Sequence, residues 1–205
     1  MQLFNDLKSF VGFDQEDATR LRELEPLVAP HYDRVVDRFF EALQDNQHTR
    51  GIFEDSDQID RAQEAVYAWL EDVFRGQYGE SYREHREQIG ERHVEVGLKP
   101  QYMFVAMNLL RTELTRIVVE DDPDEIALAD ALGSIDRILD LELTLMLNGY
   151  WNALIAEKAE AGLELATRLA HEIRNPLNAI GLNLTLLERK LASVLDKDGK
   201  YNSTL

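Results

Sequence analysis

Apolar residues recur at steps of three and four along nearly the whole chain, and strand-like alternation is absent. That period confines the chain to an all-α fold, because helices bury such stripes only by packing on other helices. Five prolines and eleven glycines supply the breaks. An acidic first turn opens a helix at "DQEDATRLRELEPLV", and Pro30 opens a second, "PHYDRVVDRFFEALQ". The polar stretch "DNQHTRGIFEDS" reads as a loop, after which Asp57 can cap "QIDRAQEAVYAWLEDVFRG". A further helix runs from about Ser81 to Val96 and stops at Gly97. Pro100 starts "QYMFVAMNLLRTELTRIVVE". After "DDPD" a long helix begins at Glu125, reaches about Lys158 and is free to continue.

A chain of 205 residues holds one or two domains with a real core. The absence of cysteine excludes disulfides, thiolate metal sites and cysteine nucleophiles. A formal charge of −17 repels phosphates, so neither nucleic acid nor an anionic membrane is an expected partner. The same acidic balance suits either an ordinary solvated surface or adaptation to high salt. The start, "MQLFNDLKSFVGFDQED", lacks the basic and apolar runs of a signal peptide. The most apolar stretch, Leu141 to Ala156, is broken by Glu142, Asn148 and Asn152 and falls short of the ~20 residues of a membrane span. A cytoplasmic protein is the expectation.

Two regimes divide the chain. Residues 1–150 alternate helices with short turns, as a globular domain does, whereas residues 151–205 read as a signalling helix. Along this helix Leu165, Leu169, Ile173, Leu177, Ile180, Leu184, Leu187 and Leu191 form a narrow seam that one helix cannot bury alone. A second copy of the chain would cover it, so a homodimer is expected.

Within that helix lies "RLAHEIRNPLNAIGLNLTLLERKL". His171 stands two residues beyond Leu169, roughly 200° around the helix from the seam and open to another domain. A neutral imidazole is nucleophilic near pH 7, a neighbouring carboxylate such as Glu172 can act as base, and Asn175 at i+4 shares the face of His171. Pro176 leaves the Glu172 carbonyl without its helical donor and should bend the helix there. The string "HEIRNPLNAI" resembles the phosphoacceptor box of sensor histidine kinases over about residues 160–195. The resemblance implies that His171 is phosphorylated, Glu172 is the base and Asn175 assists the phosphatase reaction. It also implies the receiver domain of a response regulator as partner. ATP would act only through a catalytic domain whose glycine-rich segments this chain lacks, so the chain should not autophosphorylate alone.

The stretch "REQIGERHVEVGLKPQYMFVAMNLL" places His93 near a helix end, followed by Gly97 and then Pro100. Together with "DRFFEALQDNQHTRGIF" it resembles the globin domain of globin-coupled sensors over roughly residues 10–150. The fold so implied is a globin-like sensor domain, then a long signalling helix and the first helix of a dimerisation and phosphoacceptor hairpin. The resemblance implies that His93 ligates the iron of haem b through one ring nitrogen while the other donates to a backbone carbonyl, that of Ile89 one turn back. Tyr102 should touch the proximal side. Phe39, Phe40, Val66, Trp69, Leu70, Phe74, Met103 and Met107 would wall the cofactor, or serve as ordinary core.

Phe40 stands where that family commonly places a distal tyrosine, and Ala62 and Ala65 fall where other distal side chains come. Without a hydrogen-bond donor, bound oxygen is held less well than the less polar CO or NO. Tyr32, Tyr67 and Gln63 are the off-register substitutes. The expected function is therefore haem-based sensing of a diatomic gas in a two-component system, controlling phosphorylation of His171. The alternative is a haem-free globin-like sensing or dimerisation module without kinase activity. Serine-hydrolase, metalloprotease and nucleotide-binding motifs are absent.

Overall fold

The computed structural model describes the backbone of residues 2–121 and 125–201, with side chains for residues 3–120, 128–168 and 174. The chain divides into two compact units, Met1–Leu154 and Ile155–Leu205. Every regular element among the described residues is helical: α1 Gln2–Val11, α2 Gln15–Val28, α3 Tyr32–Asp45, α4 Gln47–Arg50, α5 Ser56–Phe74, α6 Glu80–Glu95, α7 Pro100–Asp121 and α8 Glu125–Tyr201. This is an all-helical globin-like fold.

Local chemistry explains most boundaries. Asp14 opens α2 with a capping box, accepting from Glu16 and Asp17 while the Asp17 carboxylate accepts from the Asp14 backbone N–H. Pro30 sits at the start of a single 3-10 turn, Ala29–His31, that leads into α3. The cap of α5 is Asp55, two residues before the expected Asp57, because its carboxylate reaches the Gln58 N–H at 2.8 Å. Two elements go beyond the sequence expectation. Helix α1 precedes the first expected helix and buries Phe4, and α4 is a single turn inside the stretch read as a loop.

The core of the first unit is one cluster. Leu21 and Val28 of α2, Val35 and Phe40 of α3, Leu70 and Phe74 of α5, Leu114 of α7 and Ile138, Leu139 and Leu145 of α8 all lie within it. A salt-linked latch joins α2 to α8 at the edge of this core. The buried Asp17 carboxylate accepts from Ser134 Oγ at 2.6 Å and from Arg137 Nη2 at 2.5 Å. Burial pushes the Asp17 carboxyl up, but these donors win and hold it below the usual range.

In the second unit the described side chains run along one helix, and Ile155, Leu163 and Leu165 are exposed. No described helix is long and apolar enough to cross a membrane. The side chains of His171, Glu172, Asn175 and Pro176, which carry the phosphoacceptor expectation, lie outside the described residues.

Candidate functional site

Helix α6 ends in a Schellman motif built on Gly97. Gly97 adopts φ +70°, its N–H donates to the Val94 carbonyl at 2.9 Å, and the Leu98 N–H donates to the His93 carbonyl at 2.9 Å. Leu98 then packs on the core, which pins the last turn where His93 sits. The His93 ring is fixed as well: Nδ1 donates to the Ile89 carbonyl oxygen at 2.6 Å, the contact implied by the globin resemblance. Burial lowers the His93 pKa, outweighing the opposite pull of the Ile89 bond, so the ring is neutral at pH 7. With Nδ1 carrying the proton, Nε2 holds the free lone pair, and it makes no hydrogen bond among the described residues. A neutral imidazole, locked in one tautomer, is the donor that an iron centre requires.

The expected wall residues divide into three groups. Phe40 is buried in an aromatic cluster, 5.5 Å from the Phe39 ring and 5.9 Å from that of Phe53. Met103 and Met107 are buried on α7, and Ala62 and Val66 are half-buried on α5 against the core. Ala65 is exposed on α5. Tyr102, in the first turn of α7, stacks on His48 of α4 with ring centroids 5.8 Å apart, so α4 and α7 meet through their rings.

None of the candidate substitutes for a distal tyrosine is free-standing. Tyr32 is buried, its hydroxyl faces the Leu70 carbonyl at 3.5 Å, and its ring packs edge-on against Tyr67 at 5.5 Å. Gln63 and Tyr67 line a cleft of about 360 Å³ between α3 and α5, with Asp33, Val36, Asp37 and Glu64.

Trp69 has a second partner that the sequence does not announce. Its indole Nε1–H donates to Glu142 Oε2 at 2.9 Å, inside the core. Arg86 Nε donates to both oxygens of the same carboxylate, at 2.9 and 2.7 Å, and the Tyr82 hydroxyl donates to Oε1. Arg86 and Glu142 are both fully buried. Arg86 Nη1 reaches Asp72 at 3.3 Å, its guanidinium lies 4.1 Å from the Tyr82 ring centre, and Phe4 of α1 stacks on the outer side of Tyr82. Burial pushes the Glu142 carboxyl well above its usual range. Arg86 and Trp69 can only donate, however, so the geometry holds Glu142 as a carboxylate. The signal for this network was Glu142 itself, a charge inside the most apolar stretch of the chain.

One turn further along, α6 and α8 touch backbone to backbone. A Cβ on Gly90 would fall far inside van der Waals distance of the Met146 carbonyl oxygen, and one on Gly149 would meet the Glu87 carbonyl in the same way. Asn148 Nδ2 donates to Glu87 Oε1 at 2.8 Å beside this crossing. Glycine is required at both positions by the approach of the helices.

A helical domain with this order of elements and a locked histidine at the end of α6 has a counterpart among known families. The family model described as Protoglobin matches residues 1–155. The chain belongs to the protoglobin family. Among solved structures this protoglobin domain is similar to the globin domain of a Geobacter sulfurreducens globin-coupled sensor. The TM-score is 0.68 at 28% identity, covering 71% of this chain and 96% of that one. The ferric globin domain of E. coli DosC has a TM-score of 0.61 at 14% identity, covering 72% of this chain and 99% of that one, a likeness of fold. A curated relative, the heme-based aerotactic transducer HemAT of Halobacterium salinarum, is 24% identical over an alignment of 185 positions that covers 84% of this chain. The protoglobin chain spans 38% of that transducer's length.

Proposed function

We propose that this chain is the haem-binding, gas-sensing region of a signalling protein, with His93 as the axial ligand of haem b. The observation that carries the reading is the His93 ring: neutral, with Nδ1 bound to Ile89 and Nε2 unengaged among the described residues. Bound haem, held by His93, would supply an iron centre able to take a diatomic gas. Ile89 orients the imidazole and raises its basicity. The aromatic cluster at Phe40 and the small side chain of the half-buried Ala62 offer bound oxygen no hydrogen bond, which favours CO and NO over oxygen.

Helix α6 passes its displacement to α8 through the Gly90 and Gly149 crossing, because backbones in contact cannot slide without separating. The output is phosphorelay. His171 accepts phosphoryl, Glu172 serves as base, Asn175 assists hydrolysis and a response regulator receives the group. ATP enters through a catalytic domain acting on this segment. The exposed Leu165, the first residue of the seam, supports a homodimer in which a second copy covers that stripe. A second reading, a transducer without phosphorelay, draws on HemAT, whose likeness covers 84% of this chain while the family model matches residues 1–155.

Absorption spectra after haem reconstitution, ferric, ferrous and with CO, test the sensor reading. A Soret band that shifts with CO supports it, and failure to take up haem removes it. Incubation with a full-length kinase and labelled ATP separates the outputs. Label on the wild type but not on His171→Gln supports phosphorelay, and no label on either supports the transducer.

A further inference from the structure

We infer that the buried Arg86–Glu142 pair is a positioning device for His93, setting the register of α6 on α8. This role deepens the haem reading above and rests on it.

Helix α6 is poor in the usual means of docking. Of its sixteen residues only Tyr82, Arg86 and Gly90 are buried. They follow one another at steps of four, which places them on one face, and His93 falls on the same face three turns after Tyr82. Along that face, both Tyr82 and Arg86 bond Glu142, and Gly90 lies against the Met146 backbone one turn further along α8. The face that presents His93 is therefore the face that reads α8.

An apolar face would hold α6 as firmly but tolerate sliding, since hydrophobic contact is non-directional. A carboxylate with both oxygens engaged by a guanidinium is lost on a shift of a fraction of a turn. Stability does not account for the pair. Desolvating both charges offsets most of their attraction, and Arg86 Nη2 is buried with no hydrogen-bond partner among the described residues. Register is what the pair supplies and a leucine pair would not. Trp69 and Asp72 tie the same two side chains to α5, so the register of α6 is referred to a third helix.

The test uses the whole chain and two variants. Glu142→Gln keeps size and one acceptor oxygen, enough for the Trp69 indole, while its amide nitrogen can only donate towards the Tyr82 hydroxyl, and it removes the charge facing Arg86. Arg86→Met with Glu142→Leu replaces the pair by apolar groups, so that folding is retained. Two readouts are taken: the iron–histidine stretching band of the ferrous protein by resonance Raman, and hydrogen exchange of the α6 amides without haem. The expected result is a folded double variant whose band is shifted or broadened and whose α6 amides exchange about tenfold faster or more. A folded double variant with the wild-type band and wild-type exchange overturns the inference, whatever Glu142→Gln does to stability. Wild-type protein that binds no haem overturns the haem reading and the role toward the iron together. Faster α6 exchange in that case still supports the register role, and unchanged exchange removes it.

Discussion

Helix α5 enters the core through Leu70, Val73 and Phe74, an apolar stripe at helical spacing, whereas α6 enters through Tyr82, Arg86 and Gly90. Both bury residues in the first unit, yet they are held by different physics. Along the Leu70, Val73 and Phe74 stripe of α5 the contacts are dispersive and interchangeable, so their exact chemistry matters less than their volume, while Trp69 and Asp72 of the same helix belong to the polar network. On α6 a buried ion pair, with one guanidinium N–H shared between both carboxylate oxygens, and a glycine crossing admit one arrangement. Under the proposed sensor function, the first kind of wall would tolerate a ligand and the second would convert movement of His93 into movement of a helix.

The contrast is broken most severely by Arg86→Met, which strands a fully buried Glu142 carboxylate. The expected loss is about 3–5 kcal/mol, measured by urea unfolding, and Glu142→Leu on top should restore most of it. Gly90→Ala should cost about 1–3 kcal/mol or more, because its methyl group must push the α6 and α8 backbones apart. Leu70→Met on α5 should cost less than about 1.5 kcal/mol, although Leu70 is fully buried. Similar losses at positions 70 and 90 would erase the distinction between the two walls.

Two further effects sharpen the comparison at the ligand. Phe40→Tyr offers a donor within the aromatic cluster and should slow oxygen dissociation about tenfold while changing CO dissociation little, as measured by stopped flow. The smallest effect concerns pH. Because the folded His93 pKa is depressed below 6.5, the unfolded chain binds the proton first as pH falls. Haem-free protein should therefore lose stability as pH drops from above 6.5 towards the folded value, and His93→Gln should flatten that stretch of the profile. Thermal melts between pH 8 and pH 5 would record it.

These differences in physics also decide what the sequence discloses. Periodicity placed α5, α7 and the start of α8, and the run from His93 to Pro100 placed the end of α6, because those features are local. The Ile89 bond to His93 is local too, one turn of helix, and the globin resemblance implied it. The Glu142 network was not readable in advance, since its four members come from α5, α6 and α8 and only the fold brings them together. Gly90 and Gly149 likewise read as helix weakeners in sequence, and their purpose emerges only where two helices cross. Helix α1 escaped notice because Phe4, its one deep anchor among the described residues, lies in a polar and otherwise ordinary run.

The most direct measurement of the role of His93 is the spectrum of His93→Gly reconstituted with haem, with and without added imidazole. The variant should show an altered ferrous–CO spectrum that returns to the wild-type form when imidazole occupies the vacated position. A wild-type spectrum in His93→Gly without imidazole would show that another residue holds the iron, and the assignment of α6 as the proximal helix would fall with it.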